Sequence, residues 1–527
     1  MRRRTLLAFL AFLPAACPAE EAWVKATSKN FEVYTTAGEP KAREAALYFE
    51  RVDNFLRKAL GASREGAGRV RVIAFQSSRE YRPYQPAEGR VGYAGGDLDL
   101  DEIVMESISP ERYPVAVHEY VHILLKPYKN VPLWFDEGLA QVYQTLRPFG
   151  GKVVVGDPIP GALDLLQHAR WLDLDTLCAV DRSSPYYTGE QSKATIFYAE
   201  SWLLTHMLFL GEKYGTGFRE FKRLTLTGVP ADEAFEGAFN KTLWHVYSDL
   251  RRYAEDGGYR GPVFNVALEE SAADPKIEPV TALESRLILA RLLADIGKPE
   301  ESRTALRKLA EESPTRPEVP EALGYAALRK GDADEARAEF ARAVELGSAN
   351  PRVYYRYSAL AAQAGEPVER QIALLRRAVD LDPEYAGARL HLGHLLASAA
   401  DYAGALAQFR RVKEPPPDQA FAFYRAVAYA SSRTGDRDGA RANAKLAAEA
   451  AHGADEQASA KKLLAAIEEP VIEDRDFRPA AHPSALRDSF AGSPQCQGQR
   501  HPRSGRLSGD RGPHPHDGGR ASRATPG

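Results

Sequence analysis

Four regimes of hydrophobic patterning succeed one another along the chain. In the first, "NFEVYTT" (residues 30–36) and "RVRVIAFQ" (69–76) alternate apolar and polar positions and carry β-branched residues, which predicts half-buried strands. Between them, "EPKAREAALYFERVDNFLRKAL" sets Ala46, Phe49, Val52, Phe55 and Leu56 on one side of a helix. "GYAGGDLDLDEIVMES" predicts a glycine turn followed by a short strand. Helical spacing dominates from there to "LWHVYSDLRRYAEDGG". Residues 20–258 therefore predict an α+β domain, a small sheet beside a helical half. The second regime, residues 259–279, holds glycine and proline without a sustained period and predicts a linker.

The third regime, residues 280–468, repeats itself. Gly297, Gly331 and Gly365 are 34 apart, Ala399 continues the count, and Gly435 follows after a small slip. "EALGYAALRKGDADEARAEFARAVEL" sets Leu323-Gly324 in one helix, Gly331-Asp332 at the turn, and Ala336, Phe340 and Ala343 in the next. "LHLGHLLASAADYAGALAQF" repeats the scheme with Leu392-Gly393, Ala405 and Phe409. Small residues let paired helices approach, and the aromatic fills the gap between pairs. The pattern resembles tetratricopeptide repeats, about five of them, forming an all-α solenoid. That resemblance implies a surface for a peptide or protein partner. The fourth regime, 469–527, is Gly, Pro, Arg, Ser and His without apolar periodicity, the composition of a disordered tail.

Composition adds a compartment. The chain opens "MRRRTLLAFLAFLPAACPAEEAW": basic residues, a short apolar run, then small residues. This is the layout of a cleavable secretory signal over residues 1–19, too short for a permanent membrane span. Cys17 opens a second reading, a lipid anchor. The expectation is an exported protein, periplasmic or secreted, or a lipoprotein, with no spanning helix later in the chain. The net charge of −3 gives no ground for a nucleic-acid partner. Cys17, Cys178 and Cys496 offer no disulfide framework.

Candidate chemistry sits in "VAVHEYVHILL". His118 and His122 are four apart, so both imidazoles lie on one helix face and can turn toward one metal ion. Glu119 is rotated by one position and lies beside that face, where it can take a proton from a metal-bound water without ligating. The surrounding residues are apolar nearly all round, which predicts a buried helix and makes three polar side chains costly unless they have partners. The other reading is a helix with two satisfied core histidines. Downstream, "PLWFDEGLAQVYQTL" predicts a second helix carrying Glu137. A His, His, Glu set with an open fourth position is the donor set of a catalytic zinc site. Asp136, adjacent to Glu137, is expected to point elsewhere and to serve the helix start. Gln141 and Tyr143 are read equally as supporting donors or as packing.

His118-Glu119-x-x-His122 followed by Trp134-x-x-Glu137-Gly138-Leu139-Ala140 resembles the gluzincin metallopeptidases, and most the bacterial peptidase MA-like group, often joined to tetratricopeptide repeats. The resemblance covers about residues 25–255. It implies one Zn²⁺ held by His118, His122 and Glu137, with Glu119 as general base. It also implies an oxyanion donor on a later helix, which maps to Tyr198 in "FYAESW", with Tyr186 and Tyr187 in reserve and His206 read as packing. The implied function is peptide-bond hydrolysis by a zinc-activated water, of endopeptidase type because no amine-binding acid of the aminopeptidases is recognisable. The strand around residues 102–105 is a candidate for pairing with an extended substrate. Two alternatives stand beside this reading: a repeat-based binding scaffold with an inactive peptidase-like domain, and a zinc hydrolase acting on a non-peptide substrate.

Overall fold

The computed structural model describes residues 22–468 apart from 63–67, 98–99, 129, 189–190, 258, 260, 266–272, 414, 416–418 and 452. The expected signal segment with Cys17 and the expected disordered tail lie outside the described residues.

Alternation builds the first half. Strands β1 (Val24–Thr27), β2 (Phe31–Thr35), β3 (Val70–Ala74), β4 (Gly92–Asp97), β5 (Leu100–Met105), β6 (Arg147–Phe149), β7 (Lys152–Val154), β8 (Val263–Asn265) and β9 (Lys276–Pro279) form two sheets. The larger has the order β4-β5-β3-β2-β1-β9 and the smaller β6-β7-β8. In the larger, β2, β3 and β5 run parallel, while β4, β1 and β9 pair antiparallel. Period-two alternation gives each central strand two apolar faces. Phe31, Val33, Val70, Val72, Ile103 and Met105 turn to one face. There they meet the amphipathic helix Glu39–Leu60 and the helix Tyr113–Leu125, with Phe31 against Phe49 at 5.4 Å and Tyr120 at 5.3 Å between ring centres. Tyr34, Ile73 and Val104 turn to the other face, where Trp23, Phe75, Tyr81 and Tyr93 join Ile288 and Leu292 from the helix Ala282–Asp295.

Three expectations change here. The glycine-rich "GYAGGD" is strand β4 rather than a turn, because six residues pair in register with β5 and the backbone, not the side chain, carries that ladder. The expected linker at 259–279 contributes β8 and β9, which add a strand to each sheet. Their partners lie far back in sequence, so no local period marks them. The residues 102–105 proposed for substrate pairing belong to an inner strand, bonded on both sides by β3 and β4; the edge strand at that end is β4.

The repeats follow as helix pairs from Ala282–Asp295 with Pro299–Glu312 to Ala420–Arg433 with Arg437–Glu449, and then Gly453–Glu468. A β-carbon on Gly324 would lie 2.6 Å from the Phe340 ring, and Gly393 meets Phe409 in the same way, so small residue and aromatic do interlock. Left-handed backbone recurs at Gly297, Gly331, Gly365 and Gly435. In the remaining pair the left-handed residue is Ala400, at φ 62°, not Ala399. The repeat from Gly365 to Ala400 spans 35 residues rather than 34, and an L-residue bears a conformation that costs roughly 1–2 kcal/mol. Ala400→Gly is expected to stabilise the array by about 0.5–1 kcal/mol, read from its denaturant midpoint.

Candidate metal centre

The helix Tyr113–Leu125 starts at a proline-containing first turn and is buried along almost its whole length. Its apolar side chains fix it between the sheet and the following helix. His118 is 1% exposed and Glu119 4%, while His122 is half-buried. The next helix, Leu133–Tyr143, begins after Pro132 and brings Glu137, 1% exposed, against both histidines. Gly138 makes this possible. A β-carbon there would fall on Thr205 Oγ1 and 2.5 Å from the Ser201 carbonyl of the helix Gln191–Leu210. Only a bare α-carbon lets the two helices close and presses Glu137 toward the histidines.

Three ligand atoms converge. His118 Nε2 and His122 Nε2 are 3.2 Å apart, and Glu137 Oε2 lies 3.5 Å from the first and 3.6 Å from the second. Atoms bound tetrahedrally to zinc at about 2.0–2.2 Å stand roughly 3.3–3.6 Å from one another, so the triangle has the size of one face of such a site. Among the described residues these three form the group able to hold a metal ion, and Glu119 is outside it.

Asp136 was expected to point elsewhere. Its Oδ1 instead lies 2.8 Å from His122 Nδ1. Neighbours on a helix do diverge, but an imidazole offers nitrogens on two edges, so Asp136 and Glu137 reach the same ring from different sides. With a metal at Nε2, Nδ1 carries the hydrogen and donates it to Asp136, which fixes the ring's orientation and tautomer. Charges around the histidines follow the same geometry. Burial, with neighbouring His122, pulls His118 down to about 3, leaving it neutral. Burial also works against the charged form of His122, but the carboxylates of Asp136 and Glu137 outweigh it and push that ring up to about 10.

Two tyrosines approach Glu137. Tyr187 Oη donates to Glu137 Oε1 at 3.4 Å, and its ring centre is 6.2 Å from that of Tyr198. Burial, then the charge of Glu137, holds the Tyr198 hydroxyl well above the ordinary range, so it stays protonated as a donor. Gln141 Nε2 donates to the Tyr198 carbonyl at 2.9 Å and ties the two helices together at this point. Tyr143 is fully buried against Phe55 and Phe209 and belongs to the core. His206 is a packed residue. Its Nε2–H donates to the Gly156 carbonyl and its Nδ1 accepts from Tyr253, each at 2.8 Å. Sequence reasoning passed over Arg90, 8% exposed just before β4, whose positive charge is felt by both His118 and Tyr198. No motif marks a lone arginine in a loop.

No relative among curated proteins matches the chain. The sequence model of the tetratricopeptide repeat matches residues 287–351 and 321–385. Similar solved structures include YrrB, described as a tetratricopeptide-repeat protein with an unusual peptide-binding site. It is 21% identical, with TM-score 0.30, covering 34% of this chain and 90% of that one. MamA is 22% identical, with TM-score 0.27, covering 33% and 97%. PilF of Pseudomonas aeruginosa is 18% identical, with TM-score 0.27, covering 35% and 88%. No described helix is long and apolar enough to cross a membrane. Residues 287–385 thus match tetratricopeptide repeats, within a longer run of helix pairs.

Proposed function

We propose that the first half of the chain is a zinc-dependent hydrolase of peptide bonds and that the repeats bind a protein substrate or partner. The observation that carries this reading is the 3.2, 3.5 and 3.6 Å triangle of His118, His122 and Glu137, with Glu119 buried beside it. A zinc ion in that triangle would supply the Lewis acidity that polarises a carbonyl and acidifies water. The chain's own groups do the rest. Glu119 takes the proton of the attacking water and returns it to the leaving nitrogen. Asp136 keeps the His122 Nε2 lone pair turned inward. Tyr187 and Tyr198 offer hydroxyl donors for the developing oxyanion.

Metal and proton compete for His122 Nε2. Since this ring keeps its proton up to about pH 10 without metal, apparent zinc affinity is expected to rise roughly tenfold per pH unit between pH 6 and 8, measured by competition with a chelator. The deciding experiment is metal analysis of the purified chain with a peptide-library digest. One zinc per chain and cleaved peptides support the proposal, and a chain that takes up no zinc ends it.

A second reading is favoured by the comparisons, which support only the repeat half: a binding scaffold in which the first half is catalytically silent. It predicts partner binding untouched by zinc removal and no hydrolysis. Zinc uptake with cleavage of esters or amides but not peptides would instead point to a non-peptide hydrolase.

A further inference from the structure

The edge strand β4 runs from the metal-binding helix to the repeats. At its start, a β-carbon on Gly92 would lie 3.0 Å from Val115 Cγ1, one turn before His118. The Val91 carbonyl accepts from the Glu106 N–H at 2.8 Å, which fixes the phase of the ladder with β5. Tyr93, Gly95 and Asp97 then bond inward, and Gly92, Ala94 and Gly96 turn their N–H and C=O groups away from β5; Gly92 is buried there, while Ala94 and Gly96 are part-exposed.

The repeats take the last of these positions. The Gly96 N–H donates to Asp295 Oδ2 at 3.4 Å, and its carbonyl accepts from Arg329 Nη2 at 3.1 Å. Asp295 and Arg329 come from the first helices of two successive repeats and pair with each other at 2.9 Å. Beside them Arg291 pairs with Glu102, fully buried opposite Gly95. Two acids and two arginines stand together here; burial pushes the Asp295 carboxyl up to about 7, against the pull of Arg329 and Arg291. Gly96 has φ 106°, closed to ordinary side chains, and brings its peptide within reach of the pair. Asp295 and Arg329 offer it one acceptor and one donor, as a neighbouring strand would.

We propose that Asp295 and Arg329 form a register stop: they close the sheet edge at Gly96, confine strand addition to the part-exposed stretch around Ala94, and so limit how far a substrate chain extends on one side of the scissile bond. The substrate part rests on the peptidase reading; the closure of the edge rests on these contacts alone. Arg329 and Asp295 are positioning residues and touch no reacting atom.

The test uses the full-length, zinc-loaded chain with Arg329→Ala, Asp295→Asn and the conservative Arg329→Lys. Hydrogen exchange in the segment 92–97 is expected to quicken at least tenfold in the first two and to stay near the parent in Arg329→Lys. Unchanged exchange overturns the closure. In a peptide digest the parent is expected to tolerate only short extensions on one side of the cleaved bond. Arg329→Ala is expected to accept longer ones, with lower KM for long peptides and unaltered kcat. An identical product pattern overturns the register stop even where exchange has moved. A parent that binds zinc and cuts no peptide overturns the peptidase reading and the stop with it, while exchange still decides the closure of the edge.

Discussion

Glu119→Gln is expected to lower peptide hydrolysis by roughly a thousandfold while the chain keeps its zinc. The amide occupies the same volume and accepts hydrogen bonds but cannot hold the proton that water must give up. Glu119 lies outside the ligand triangle, so metal content stays at the parent level. His122→Ala gives the opposite pattern: the metal is lost, and activity with it. Rate and zinc content measured together separate these cases. A Glu119→Gln chain that loses its zinc, or that cleaves at the parent rate, contradicts the assignment of Glu119 as base.

The second large effect concerns where the first half ends. A chain stopped at Pro279 keeps β9 but loses the helix Ala282–Asp295. That helix covers the sheet face bearing Tyr34, Ile73, Phe75, Tyr93 and Val104 through Ile288 and Leu292. Each such side chain left bare forfeits about 1.5–3 kcal/mol, and a domain has only about 5–15 kcal/mol in total. Baring three or four cancels the fold. The truncated chain is expected to be insoluble or unfolded by circular dichroism, and a chain extended through Lys330 to recover a cooperative melt. A sharp thermal transition in the shorter chain would show that the repeats are dispensable for the sheet.

Much of this was legible in the sequence because the determining contacts are local. The helix Glu39–Leu60 follows from its 3.6-residue period, and its observed bounds coincide with the quoted stretch. The pairing of His118 with His122 follows from one helical turn, and Glu137 from the motif after it. Asp136 was misjudged because helical spacing tells where α-carbons point, not that an imidazole can be approached from two edges. Strand β4 was misread because its glycines have no side chains to alternate. Strands β8 and β9 were missed because three- and four-residue segments draw their identity from distant partners: Lys276–Pro279 pairs with Val24–Thr27. The turn was placed one position early, at Ala399, because the count assumed 34 residues and this repeat takes 35.

The pairing of β1 with β9 has a consequence for how the molecule is made. Synthesis is vectorial, and a ribosome that has finished the two histidines and Glu137 has not yet produced the strand that completes the larger sheet or the helix that covers its second face. The nascent first half therefore lacks a way to close prematurely. Long-range pairing of this kind folds slowly, so the larger sheet is completed only late in synthesis.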